Sequence, residues 1–189
     1  TVQTPNVLRR SGVRSRALGR HFQVHPGIGM GGLFDMPVGA GFGATQGAES
    51  IQFRKTDRFK LETIGLPPDI VCARIPGVGH ELSERLAQMA NVAMWVAQVR
   101  AEAEGEVHES WGGVDRVKYT LTPNDLVAGR KALVLIARML FEAGAREIWP
   151  GIHGVPSVLT SIDQVKLIED APLGPRSYNY IASHMFGAA

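Results

Sequence analysis

At 189 residues, with 44% hydrophobic and 20% charged positions, the chain has the make-up of an ordinary folded protein, which excludes intrinsic disorder. Its formal net charge of +2 comes without a sustained basic face, so no nucleic-acid partner is expected, and no apolar stretch approaches the ~20 residues of a membrane span. A single cysteine, Cys72, excludes an internal disulfide and makes the cytoplasm the default compartment; in the run Ile70-Val71-Cys72-Ala73 it reads as a small buried hydrophobe.

Residues 4–10 are predicted as a short helix, with Thr4 as N-cap, Pro5 at the first helical position and Ser11-Gly12 as the stop. The glycine-rich tract 27–47 is threaded with Ile28, Met30, Leu33, Phe34, Val38 and Phe42, which predicts short, closely packed extended segments joined by tight turns. Alternation predicts strands over 50–54 and 59–64. Pro67-Pro68 opens a short helix to about Arg74, and a second runs from Glu81 to about Asn91 with Leu82, Leu86, Met89 and Ala90 on one face. Segments 95–100 and 117–121 read as antiparallel partners, with turns at Glu104-Gly105 and Gly112-Gly113 between them.

The clearest element is a helix over 123–143, with Thr122 as N-cap, Pro123 first, Asp125 completing a capping box and Gly144 as the stop. A strand is expected over 146–149, and Thr160-Ser161-Ile162-Asp163 starts another helix to about Glu169. Strands, one long helix and a further strand make an α+β pattern, an antiparallel sheet covered by helices. The chain opens on Thr1 without a methionine and closes on the apolar run 180–189, so it reads as a piece of something longer.

Gly27-x-Gly29-x-x-Gly32 matches a phosphate-loop pattern, but Leu33-Phe34-Asp35-Met36-Pro37 cannot open the helix that such a loop needs. It reads as a glycine-rich strand. The six histidines show no metal-ligand spacing, so no metal is expected. A hydrolase reading finds no G-x-S-x-G elbow. The acid pairs Glu102/Glu104 and Glu169/Asp170 read as solvated charges. His25 and His153, beside glycine turns, read as structural hydrogen-bonders. His184 differs: its apolar surroundings predict an imidazole in a dry pocket, with close backbone approach at Gly187.

Three motifs carry a family resemblance. Thr4-Pro5-x-Val7-Leu8-x-x-Ser11-Gly12-Val13 resembles the second signature of the glucose–methanol–choline (GMC) flavin oxidoreductases, with Arg14 where that signature ends in glycine. Leu18-Gly19-Arg20-His21-Phe22-Gln23-Val24-His25-Pro26 is similar to the family's V-G-R-N-L-x-D-H-P, and His184-Met185-Phe186-Gly187-Ala188 to its H-x-x-G-T.

The resemblance implies a mostly antiparallel substrate-binding domain over 27–177, with pieces of a FAD-binding domain at 1–26 and 178–189. It also implies FAD as cofactor with contacts at Thr4 and His25, a small-molecule alcohol as substrate, and His184 as the catalytic base. The family's phosphate loop and second catalytic residue have no counterpart in these 189 residues, so the piece is expected to be inactive alone. The competing expectation is a non-catalytic α+β binding module.

Overall fold

A six-stranded antiparallel sheet forms the frame of the computed structural model, which describes residues 1–189. Its strands are β1 (Gln23–Leu33), β2 (Glu49–Ser50), β3 (Phe59–Thr63), β4 (Val92–Val99), β7 (Glu147–Trp149) and β8 (Ile181–Phe186). They run β2-β3-β4-β1 across the sheet, and the far edge of β1 is shared: β7 pairs with residues 31–33 and β8 with residues 23–27. A separate hairpin joins β5 (Glu106–Glu109) to β6 (Asp115–Lys118). The helices are α1 (Thr4–Arg10), α2 (Pro68–Val71), α3 (His80–Ala87), α4 (Pro123–Glu142) and α5 (Lys166–Glu169). The α+β expectation holds at this level, and no helix is long and apolar enough to cross a membrane.

One face of the sheet is closed by α4. Its apolar stripe, including Leu126, Leu133, Ile136 and Leu140, packs on Ile28 and Met30 of β1 and on Leu61 and Ala97. The capping box is formed as predicted: the Asp125 N–H donates to Thr122 Oγ1 at 3.2 Å, and the Thr122 N–H donates to the Asp125 carboxylate at 3.0 Å. Gly129 gives room at the middle of α4, where a Cβ would collide with the Tyr180 hydroxyl. Alanine is the better helix former by about 1 kcal/mol, yet overpacking costs about 1–3 kcal/mol. Gly129→Ala is therefore expected to lower the melting temperature. Tyr180→Phe should restore part of the loss, because the buried hydroxyl has no hydrogen-bond partner to lose.

Several expectations need correction. Gln3, not Thr4, is the N-cap of α1: its carbonyl accepts from the Asn6 and Val7 amides at 3.1 and 3.0 Å, leaving Thr4 exposed as the first helical residue. The tract 27–47 holds a single strand, because β1 is central and ladders on both sides sustain it through its glycines. Residues 51–54 turn instead of extending, which leaves Ile51 exposed and stacks Phe53 on Phe59 with ring centroids 5.4 Å apart. Segment 95–100 does not pair with 117–121: β4 is occupied on both sides by β1 and β3, while Val117 and Lys118 pair locally with Val107 and Glu106 around Gly112-Gly113, both at positive φ. Cys72 is half-buried, and its Sγ donates to the Asp69 carbonyl at 2.9 Å.

Candidate active site

Strand alternation decides what the second face of the sheet looks like. Ile28 and Met30 point towards α4, so Gly27, Gly29 and Gly31 present no side chain to the other side. Their neighbours on β4, Gln98, Val96 and Met94, complete a floor. Above it lies a cavity of about 640 Å³, walled by the α2 region (Ile70 to Pro76) and by residues 149–157 and 176–184. Gly29 is the tightest point, where a Cβ would collide with the Trp95 carbonyl on β4, and at Gly31 a Cβ would come within 2.8 Å of the Trp149 ring. Trp149 is held by its indole N–H, which donates to Glu147 at 3.0 Å, and Glu147 is in turn paired with Arg85 Nε at 2.9 Å. Gly27 and Gly29 of the phosphate-loop pattern, together with Gly31, thus leave this face of the strand without side chains, while Gly32 faces Leu140 and Ala145.

His184 stands at one end of this cavity. It is directly opposite His25 in the β1–β8 register, with ring centroids 6.0 Å apart, and the Phe186 ring lies 5.0 Å from His25. Partial burial, then the neighbouring His184 and then Lys60 push the His25 pKa below its usual value, so His25 stays neutral near pH 7. Both histidines also border a polar groove, where the buried Glu62 accepts from Lys60, from Gln98 at 3.1 Å and from Gln46 at 3.2 Å.

The dry pocket expected around His184 is not what this chain builds. His184 is exposed, as are Ile181, Met185 and Phe186, because β8 is an edge strand and nothing in the chain covers its outer face. The close approach at Gly187 is present: its φ is 73°, and a Cβ would collide with the His21 carbonyl.

The motif-bearing ends are brought together. Thr1 Oγ1 donates to the Met185 carbonyl at 3.1 Å, the Gly19 amide donates to the Ala188 carbonyl at 2.8 Å, and Val2 packs with Phe22, Val24, Val107 and Ala188. Thr4 lines neither the cavity nor the groove; it lies three residues beyond Thr1 on α1, which is tied to the β5–β6 hairpin through Arg10–Glu109 and Asn6–Asp115. His153, read as structural, lines the cavity, as do Arg74, Trp149, Arg176 and Asn179, which sequence reasoning did not select. The signal that could have found this surface is the spacing of Gly27, Gly29 and Gly31 on one side of a strand.

No family model matches the chain. Curated relatives do. The chain is 34% identical over 188 residues to an uncharacterized GMC-type oxidoreductase of Mycobacterium tuberculosis, a match covering 99% of this chain and 29% of the relative. It is 26% identical over 186 residues to an uncharacterized GMC-type oxidoreductase of Sinorhizobium fredii, covering 98% of this chain and 36% of the relative. It is 32% identical over 160 residues to a long-chain-alcohol oxidase of Arabidopsis thaliana, covering 78% of this chain and 20% of that protein. The chain therefore spans about a third of the length of such relatives, or less.

Proposed function

The chain belongs to the GMC-type oxidoreductases over the 188 residues it shares with them, and from this we propose that it is the substrate-binding part of a FAD-dependent alcohol oxidoreductase with His184 as its base. The observation that carries the reading is His184 at the mouth of a cavity of about 640 Å³ with a largely apolar floor. In this reading residues 27–177 bind substrate, and residues 1–26 and 178–189, packed against each other, are edges of the flavin domain.

The exposed surface fits a flavin. Ile181 and Phe186 offer uncovered apolar area beside the exposed imidazoles of His25 and His184, which suits a planar cofactor. His25 and the exposed Thr4 are the residues that would contact it. When bound, the flavin supplies the hydride acceptor.

The chain's own residues do the rest. The apolar floor holds the alcohol's body and excludes water, which presents its hydroxyl to His184. A neutral His184 ring nitrogen takes the hydroxyl proton as the C–H bond weakens, since a carbinol releases hydride most readily as its oxygen becomes anionic. His25, held neutral, adds no second positive charge beside the imidazolium that forms.

The test is optical. The full-length polypeptide should purify with flavin absorbance, and an alcohol added without oxygen should bleach it. Residues 1–189 alone should show neither saturable FAD binding nor alcohol oxidation. A colourless full-length protein overturns the proposal.

A further inference from the structure

We propose that the alcohol accepted by this cavity carries a carboxylate at the far end of an apolar body, and that Arg74, with Arg176 on the cavity wall, receives it. The inference rests on the cavity being the substrate site. Its first support is charge. No Asp or Glu lines the cavity, whereas Arg74, Arg176, His153 and His184 all do. Neither arginine has an ion-pair partner; Arg74 is half-buried and Arg176 exposed at the cavity wall.

Nearby acids do not neutralise Arg74. Glu81 is bonded to Arg85, Glu147 is held between Arg85 and Trp149, and Asp69 makes no ion pair with it. Arg74 is half-buried on the cavity wall without a countercharge, so an incoming carboxylate finds an unpaired guanidinium there. The planar fork of arginine suits a carboxylate in a two-pronged pairing.

The second support is position. Val71 and Ile75, which bracket Arg74, pack with Leu33, Val92 and Trp149, at the opposite end of β1 from His25 and His184. His25 and Gly31 are six residue steps apart along β1, about 20 Å at the usual rise. Between them the floor is Gly27, Gly29, Gly31, Gln98, Val96 and Met94, with no charge and one amide, that of Gln98 near the His184 end. A ligand with its hydroxyl at His184 and its charge at Arg74 must therefore be long and apolar between the two, as an ω-hydroxy carboxylate is.

The experiment compares ω-hydroxydodecanoate with 1-dodecanol in the full-length flavoprotein, wild type and Arg74→Met. The hydroxy acid should be preferred in kcat/KM by about tenfold or more, chiefly through KM. Arg74→Met should lower kcat/KM for the hydroxy acid by about tenfold more than for dodecanol, which removes the preference, and Arg74→Lys should restore part of it.

Dodecanoate, which cannot be oxidised as an alcohol, provides a readout free of turnover. Titrated against tryptophan fluorescence, it should bind to the wild type and about tenfold more weakly to Arg74→Met. Equal kcat/KM for both alcohols, or an Arg74→Met defect equal for both, overturns the carboxylate assignment and leaves the oxidoreductase reading intact. A protein that oxidises neither alcohol yet binds dodecanoate through Arg74 retains the anion site and loses the oxidoreductase reading instead.

Discussion

Replacing His184 with alanine in the full-length flavoprotein is expected to lower kcat for alcohol oxidation by a factor of about 10²–10⁴ with the flavin still bound. The expectation separates chemistry from stability. His184 is exposed on an edge strand and takes part in no ion pair. Surface substitutions of that kind stay within about 0.5 kcal/mol, so fold and cofactor content should hardly change. A general base acts in the transition state, which places the loss in kcat and leaves substrate binding to the glycine floor. His25 cannot easily stand in: it projects from the neighbouring strand, 6.0 Å away ring to ring. The measurement is stopped-flow reduction of the flavin by a saturating alcohol. Near-normal reduction would remove His184 from the chemistry.

Local signals were the legible ones. Thr122, Pro123 and Asp125 lie within four residues of one another, and they form the cap that their order predicts. The two glycines at 112–113 turned the chain as expected, but onto the wrong predicted partner, because pairing is a long-range choice. What decided it was β1 taking the place beside β4, from which it is separated by 59 residues at Leu33–Val92 and 71 at Gly27–Gln98. The same limit hid most of the site. The cavity is made where residues near 27–31, 70–76, 94–98, 149–157 and 176–184 converge, so Arg74, Trp149 and Arg176 carry no local mark of belonging together. His184 stood out only because it sits in a compact motif. Its surroundings were misread because apolar neighbours say that burial is favourable, not that this chain supplies the cover.

The largest stability effect is expected at Asp125, where alanine should cost about 3–5 kcal/mol. The carboxylate is fully buried and accepts from the backbone N–H of Glu102 at 2.8 Å, of Thr122 at 3.0 Å and of Ala103 at 3.2 Å, and from Arg58 at 2.9 Å. One side chain thus ties the start of α4 to the segment leaving β4 and to the residue before β3. Removing it leaves several buried donors unpaired and Arg58 short of one partner, though Glu102 still pairs with that guanidinium at 2.8 Å. Against a typical total of about 5–15 kcal/mol, such a loss brings the fold near its threshold. Asp125→Asn keeps one acceptor and should lose less.

The pH dependence has a definite sign. Burial alone would raise the Asp125 pKa, but the donations from Glu102, Thr122 and Ala103 outweigh it and hold the carboxyl below its ordinary value. Its contribution is then complete above about pH 4 and is lost as pH falls through the lowered folded-state value. Urea titrations at pH 7 and near pH 3 should accordingly show the gap between wild type and Asp125→Ala narrowing in acid. A loss under about 1 kcal/mol at pH 7, or a gap that widens in acid, would mean that the apolar stripe of α4 holds the sheet without this carboxylate.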